Sequence, residues 1–281
     1  MKQNTWDWEI KSETSWLGVG FKELLAYKDL LFSLVRKEFL SSYQQTLLGP
    51  FWVLFQPLLT VVTYVLVFNR LMGFSTEGLP TFLYYLTGIT LWTLFSELFL
   101  NTANTFLSNA SIYNKVYFPR LISPFSLLLL NLIRFGIQLI LLLAVVIYFW
   151  LNNQVELSLL RISLFLPVVI ITSGIALGGG LIFSVLSAKY KDLLGLLQLI
   201  LRLLMFVCPI FYSYALVPEN IKWLVNLNPL SPLFELFRYA FLGKGFFSWF
   251  YFSYSVIFMI IMLLSGILLF NKLSDKLIDV A

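Results

Sequence analysis

The sequence contains no histidine and a single cysteine, and these shortages exclude several kinds of chemistry. Without histidine, the chain cannot supply a histidine base, a histidine proton relay or a histidine ligand for a metal. Cys208 has no second cysteine to pair with, so an internal disulfide is excluded. The motif G-x-x-x-x-G-K followed by Ser or Thr, which holds nucleotide phosphates, is also missing. We therefore expect no metal site, no enzyme activity and no nucleotide hydrolysis by this chain alone.

Charged residues are scarce as well. They make up 12% of the chain, whereas soluble domains carry about 25%, and 59% of the residues are hydrophobic. Four long stretches contain no Asp, Glu, Lys or Arg at all: 49–69, 135–155, 162–188 and 245–271. Because roughly 20 apolar residues are needed for a helix to cross a bilayer, these stretches predict an all-α integral membrane protein.

The hydrophobic pattern predicts six spanning helices, over 51–71, 82–101, 122–150, 162–187, 193–213 and 249–271. An even number of spans places both termini on one side of the membrane. That side would hold twelve of the 19 Lys and Arg residues and the other side five, so both termini are predicted to be cytoplasmic. The first 48 residues lack the pattern of a signal peptide.

The predicted divisions of the chain follow from this topology. They are a cytoplasmic tail (1–21), an amphipathic interfacial helix (22–48), a six-span transmembrane domain (49–272) and a second cytoplasmic tail (273–281). The interfacial helix has an apolar stripe formed by Phe32, Val35, Phe39, Tyr43 and Leu47. A plain membrane anchor would show the same pattern, but direct fusion to a span favours a mechanical role.

A break in the helical pattern separates that interfacial helix from the first span. Leu48, Gly49 and Pro50 form a predicted hinge, after which Trp52 opens the next helix. Further along, the connection 101–121 is long enough for a short helix, whereas 187–193 allows only a tight turn.

The long connection 214–248 contains one more predicted helix. Ser231 and Pro232 form its start, and Gly243 is its stop. Glu235 and Arg238 lie three residues apart and could form an ion pair. Because this helix is apolar, we expect it to dip back into the outer leaflet.

A few polar and small residues occur inside the predicted spans. Glu97 is the one acid there, and Arg134 and Arg202 are the two bases. They are either paired or snorkelling to the interface, or the arginines face a cavity and attract an anion such as a phosphate. Gly174 and Gly178 are four residues apart, which favours close helix packing within the subunit or, as the alternative, between subunits.

Aromatic residues form 18% of the chain, and belts at the membrane surface account for most of them. Some nevertheless lie in the first and fifth predicted spans, where aromatic faces could stack on sugars. The candidate passage residues are Trp52, Phe55, Gln56, Phe206, Phe211 and Tyr212.

Four segments together resemble the permease subunits of type-two ABC exporters. YQQTLLGPFWVLFQP at 43–57 resembles the gate helix of that family, its Leu-Gly-x-x-Trp corner and the following apolar run with a late proline. NKVYFPRLISP at 114–124 resembles the cytoplasmic coupling helix and its exit, and SAKYKDL at 187–193 resembles the second coupling turn. NPLSPLFELFRYAFLG at 228–243 resembles the re-entrant segment before the last span. The resemblance covers 22–271 and is nearest to the branch that exports polysaccharides.

This resemblance implies a homodimer with two copies of a separate ATPase subunit, which would bind ATP and Mg²⁺, in a bacterial cytoplasmic membrane. The cargo would be an O-antigen, capsule or teichoic-acid chain on undecaprenyl diphosphate, and no nucleic acid is involved. The implied ATPase-coupling residues are Arg36, Lys37, Tyr113, Lys115, Tyr117, Phe118, Arg120, Lys189 and Lys191.

Three other functions are compatible with a polytopic membrane protein. An exporter of a drug, peptide or simple lipid would share the fold. An intramembrane enzyme acting on polyprenyl-linked sugars would need several convergent carboxylates or a metal, and an ion-driven carrier would need acids deep in its spans. The single intramembrane acid, Glu97, argues against both of these.

Overall fold

The computed structural model describes residues 26–113, 118–190 and 192–277, and the regular elements in these ranges are helical. The helices are α1 (Lys28–Tyr43), α2 (Trp52–Tyr64), α3 (Thr81–Ala103), α4 (Thr105–Tyr113), α5 (Ile122–Leu151), α6 (Leu159–Ile162), α7 (Phe165–Lys189), α8 (Leu193–Val207), α9 (Glu219–Leu227), α10 (Ser231–Leu242) and α11 (Trp249–Leu277). A 3₁₀ turn (Gly49–Phe51) leads into α2, and a π-helical segment (Val65–Leu71) continues it. The predicted tail 1–21 lies outside the described residues.

Five segments within the described ranges are long and apolar enough to cross a membrane. They are Gly49–Leu71, Thr81–Ala103, Ile122–Leu151, Leu159–Lys189 and Trp249–Leu273. They match the first four predicted spans and the last one. The protein is therefore an all-helical, multi-pass membrane protein.

The remaining predicted span, 193–213, is shorter in the structure than in the prediction. Helix α8 contains 15 residues and ends at Val207, which gives a length of about 22 Å at 1.5 Å per residue. Cys208 is extended (φ −74°, ψ 143°) because it precedes Pro209, and a proline disfavours helical backbone in the residue before it. Residues 208–213 therefore lie outside the helix, contrary to the prediction.

Helices α3 and α7 occupy the centre of the bundle. Within their apolar windows, 78% and 83% of the residues are buried, compared with 11–22% for α2 with its flanking turns, for α5 and for α11. The central helices are thus enclosed by protein, while the outer helices keep apolar surface available to lipid or to another subunit.

The glycines of α7 permit the closest helix contacts in this core. A Cβ atom at Gly178 would lie 2.5 Å from the carbonyl carbon of Met262 in α11, and one at Gly266 would lie 2.5 Å from the carbonyl oxygen of Gly178. On the side facing α3, a Cβ at Gly180 would lie 2.5 Å from Thr102. The expectation that the α7 glycines pack within the subunit is confirmed.

Helix α10 begins and ends where the sequence predicts. It starts at Ser231, and Gly243 caps it in the left-handed conformation (φ 71°). The predicted pair also forms, with 2.5 Å between Nη1 of Arg238 and Oε1 of Glu235, and both side chains are buried.

The buried arginine connects three parts of the fold. Arg238 also donates to the carbonyl oxygen of Pro209 (2.6 Å), and its guanidinium lies 3.9 Å from the ring centroid of Tyr84 in α3. The second carboxylate oxygen of Glu235 accepts a hydrogen bond from the backbone of Phe246 (3.1 Å). These contacts satisfy both carboxylate oxygens and two of the three guanidinium nitrogens, which offsets much of the cost of burying the pair, whereas Nε of Arg238 has no partner among the described residues.

Helix α1 packs along the beginning of α5. Leu34 contacts Phe118 and Ile122, and Val35 contacts Leu127 and Leu130. The predicted apolar stripe is only partly the contact face, since Val35 is buried, whereas Phe32 is 63% exposed and Leu47 is 98% exposed. Apolar residues occupy two neighbouring faces of α1, and periodicity alone does not show which of them meets protein.

We predict that Gly178→Ala lowers the stability of the bundle, because the added methyl group would overlap the backbone of α11. Overpacking of this kind costs about 1–3 kcal/mol. Gly136→Ala in α5 is the matched control, since a Cβ there meets nothing within 4 Å, and it should be neutral or stabilising by up to about 1 kcal/mol. Thermal unfolding of both variants in one detergent checks this expectation, and an unchanged midpoint for Gly178→Ala would contradict it.

Candidate functional site

The predicted helix break between α1 and α2 is present as a sharp corner. Gly49 adopts φ +52°, and Pro50 follows it in the 3₁₀ turn that leads to Trp52. A Cβ atom at Gly49 would meet nothing within 4 Å. The glycine is therefore required by the backbone conformation and not by crowding, since side chains disfavour positive φ.

A cavity of about 490 Å³ lies beside this corner, between the end of α1, the length of α2, and the middle of α3 and α5. Its lining is unusually polar for a membrane domain and also contains aromatic rings: Ser42, Tyr43, Trp52, Val53, Gln56, Pro57, Thr60, Tyr64, Ile89, Trp92, Thr93, Ser96, Glu97, Arg134, Gln138 and Met205. Polar groups in a spanning region are costly unless they have a partner, so this concentration marks a functional site.

Arg134 is the main charged group of the cavity and connects three helices. Its Nη1 lies 3.5 Å from Oε2 of Glu97 in α3, and its Nη2 donates to the hydroxyl of Ser42 in α1 (3.0 Å). The guanidinium also lies 5.6 Å from the ring centroid of Tyr43. Glu97 and Arg134 are thus paired with each other, and both line the cavity.

The ion pair with Glu97 does not use the full hydrogen-bonding capacity of Arg134. At 3.5 Å the contact is long for a charge-assisted hydrogen bond, and the Glu97 side chain is 38% exposed. The Nε atom of Arg134 is buried without a hydrogen-bond partner among the described residues. The guanidinium is therefore incompletely satisfied by the chain itself.

Gln138 adds an acceptor to the same cavity. Its side chain is buried and donates to the carbonyl oxygen of Val53 (3.3 Å), which holds the first turn of α2 against α5. Its Oε1 atom is buried and has no hydrogen-bond partner in the described part of the chain. A ligand that carries both an anionic oxygen and a hydroxyl group would satisfy Arg134 and Gln138 together.

Tyr43 provides a neutral hydroxyl at the edge of this site. Burial raises the pKa of the Tyr43 phenol, and the neighbouring Arg134 only partly offsets that increase. The phenol therefore stays protonated and can donate a hydrogen bond. With Trp52 and Trp92 also in the lining, the cavity combines aromatic faces with polar groups, an arrangement on which a sugar can stack.

The predicted passage residues separate into two groups. Trp52 and Gln56 line the cavity, and Phe55 is exposed beside Trp52 with ring centroids 5.8 Å apart. The other three lie near the end of α8, where Phe206 is exposed and stacks on the buried Phe211 (5.2 Å). Tyr212 follows them, and its hydroxyl donates to the carbonyl oxygen of Val207 (2.7 Å).

The predicted coupling residues have different environments. Arg36 and Lys37 on α1 are exposed, as is Lys189 at the end of α7. Phe118 is buried against Leu34 and Ile122. Tyr113 ends α4, Arg120 is half-buried, and Lys115, Tyr117 and Lys191 lie outside the described residues.

The cavity contains several residues that sequence reasoning missed, and Arg202 is not among its lining residues. Arg202 is exposed on α8 and forms no ion pair among the described side chains. Ser42, Trp92 and Gln138 were not predicted as site residues, although Gln138 is a polar residue in the uncharged stretch 135–155 and could have been noticed.

Comparison with known proteins finds relatives that match most of the chain. The O-antigen export system permease protein RfbA of Klebsiella pneumoniae is 28% identical over 266 residues, which cover 94% of this chain and all of that protein. A protein of the same name from Myxococcus xanthus is 26% identical over 222 residues, or 78% of this chain and 83% of its own length.

A family model described as ABC-2 type transporter matches residues 29–242. The match includes α1, the corner, the cavity and four of the five spanning segments. Because it covers most of the chain and the whole of the site just described, this protein belongs to the ABC-2 type transporter family.

Proposed function

We propose that this chain is the permease subunit of an ABC transporter that exports a lipid-linked polysaccharide across a bacterial cytoplasmic membrane. The observation that carries the proposal is the similarity to O-antigen export permeases over 94% of the chain. The glycan would be an O-antigen, capsule or teichoic-acid chain attached to undecaprenyl diphosphate.

The energy would come from a separate ATPase subunit, which binds ATP and Mg²⁺. This chain has no phosphate-binding loop of its own. The exposed Arg36 and Lys37 on α1, together with Lys189 at the end of α7, provide a basic surface for that partner. In this assembly both termini face the cytoplasm, and two permease copies meet two ATPase subunits.

The passage would run between the two permease copies, along α2 and α8. These helices are neighbours, because the hydroxyl of Tyr64 lies 3.8 Å from the sulfur of Met205. Both regions also expose large apolar side chains, among them Leu59 on α2, Leu66 in the π-helical segment that continues α2, and Leu203 on α8. A second copy covering this surface would remove it from lipid. In this arrangement α8 forms the sixth crossing.

The cavity beside the corner would receive the phosphorylated end of the cargo. Arg134 offers a positive charge and a spare donor, and Gln138 offers a spare acceptor. Trp52, Trp92 and Tyr43 provide aromatic faces against which a sugar ring can pack. The diphosphate and the first sugar present the matching groups, while the polyprenyl chain can remain in the bilayer.

The proposed cargo is tested by deleting the gene for this chain in its native host. Lipid-linked polymer should accumulate inside the cell and disappear from the surface, and the wild-type gene should restore export. Unchanged surface polymer in the deletion strain would contradict polysaccharide export and would favour the alternative within this family, an exporter of a drug or simple lipid.

We predict that Gly49→Leu separates ATP hydrolysis from export. A side chain at φ +52° is strained by about 1–2 kcal/mol, so the backbone at the corner would straighten. A movement of α1 would then no longer be passed on to α2. The expected result is ATP hydrolysis near the wild-type rate with reduced polymer at the surface. Gly49→Asn is the matched control, since asparagine tolerates positive φ, and it should retain export. Normal export by Gly49→Leu would show that the corner is not needed.

We also predict that Arg134→Gln lowers export by about 10-fold, because a charge-assisted hydrogen bond to the cargo is lost. The double variant Arg134→Gln/Glu97→Gln separates two roles of the arginine. If Arg134 binds an anionic group, the double variant stays defective, although neither side chain is left as an unpaired charge. Recovery of export in the double variant, at equal protein levels in the membrane, would assign Arg134 a purely structural role.

A further inference from the structure

A second cavity, of about 710 Å³, lies at the opposite end of the bundle from the corner. Four segments enclose it: the loop before α3, the loop after α5, helix α6 and the end of α10. Its lining consists of Gly78, Leu79, Trp150, Asn153, Gln154, Val155, Glu156, Leu157, Arg161, Leu242, Gly243 and Lys244. Two basic side chains, Arg161 and Lys244, are therefore brought to one cavity from distant parts of the sequence.

Arg161 is held in place mainly by backbone. Its Nη2 donates to the carbonyl oxygen of Glu156 (3.2 Å), and a Cβ atom at Gly243 would overlap its Nη1. The absence of a side chain at Gly243 thus makes the room that the guanidinium occupies. The Glu156 carboxylate lies 4.0 Å away and is 93% exposed, so it neutralises Arg161 only weakly.

Lys244 is positioned in a similar way. Its ammonium group donates to the carbonyl oxygen of Glu77 (2.9 Å), and the Glu77 carboxylate itself accepts a hydrogen bond from Ser213. The lysine keeps two of its three donors for another partner. Both cations of the cavity are therefore held by carbonyl oxygens, which fix them without cancelling their charge.

Apolar surface adjoins these two cations. Leu151, which ends α5, and Leu159 and Leu160, which precede Arg161 in α6, are all strongly exposed. Trp150 lines the cavity and is itself partly exposed, as is typical of tryptophan at the membrane surface. Basic groups bordered by exposed leucines suit a ligand that has an anionic head and a hydrocarbon tail, rather than a free anion.

We propose that this cavity binds the headgroup of an anionic phospholipid, with the phosphate between Arg161 and Lys244. The acyl chains then cover Leu151, Leu159 and Leu160. This site would hold the loops at the end of α5 and before α3 against the end of α10. The proposal does not depend on the cargo of the transporter, because it rests on residues outside the cavity at the corner.

The test measures phosphatidylglycerol binding to the delipidated full-length protein in a neutral detergent. The double variant Arg161→Gln/Lys244→Gln should bind the lipid roughly 10-fold or more weakly than the wild type, since each basic residue near the headgroup contributes about fivefold. The charge-preserving variant Arg161→Lys/Lys244→Arg should bind within about threefold of the wild type, which separates lost charge from lost folding.

Lys222→Gln is the matched control, because Lys222 lies in α9, outside this cavity, and is paired with Glu219 (2.5 Å). It should leave binding unchanged. Equal weakening by Lys222→Gln, or equal binding by the wild type and the double variant, would overturn the proposal. Displacement of the lipid by millimolar inorganic phosphate would also overturn it, in favour of a site for a free anion.

Discussion

The close approach of α7 to its two neighbours fixes the centre of this bundle. Gly178 lets α7 touch the backbone of α11, and Gly180 lets it touch Thr102 of α3. In lipid, where water does not drive helices together, such van der Waals contact is a main source of association. The outer helices α2 and α5 then pack around α3 and leave the polar cavity between them. The cavity at the corner is thus a space between helices whose positions depend on the packing of α3 against α7.

Two arginines of the bundle, Arg238 and Arg134, have the same side chain but different surroundings. Arg238 is fully enclosed, and a carboxylate, a carbonyl oxygen and an aromatic ring surround its guanidinium. Arg134 has a 3.5 Å contact to a partly exposed carboxylate and lines a cavity. Each arginine has a buried Nε without a hydrogen-bond partner among the described residues. The short contact to a buried carboxylate assigns Arg238 to the architecture, whereas the longer contact and the cavity leave Arg134 accessible to a ligand.

Local signals in the sequence were sufficient for much of the fold. Long uncharged stretches located four of the five spans, and the hydrophobic pattern located the fifth, which contains Glu97. Gly49 and Gly243 marked a corner and a helix end through conformations that other residues avoid. The local sequence signals failed where the structure depends on a neighbouring residue or on a packed helix. Periodicity did not show which face of α1 meets α5, and Pro209 ended α8 before its apolar pattern ended. The cavity joins Tyr43, Trp92 and Gln138 from three helices, and no spacing within one helix reveals such a meeting.

The early end of α8 has a consequence for the proposed sixth crossing. A helix of 15 residues is about 22 Å long, whereas the hydrocarbon core of a bilayer is about 30 Å thick. If α8 crosses the membrane as proposed, a mismatch of this size would be relieved by local thinning of the bilayer or by snorkelling of polar side chains, and Arg202 is exposed on this helix. A polar molecule moving beside α8 would then cross a shorter apolar distance than beside the five longer segments.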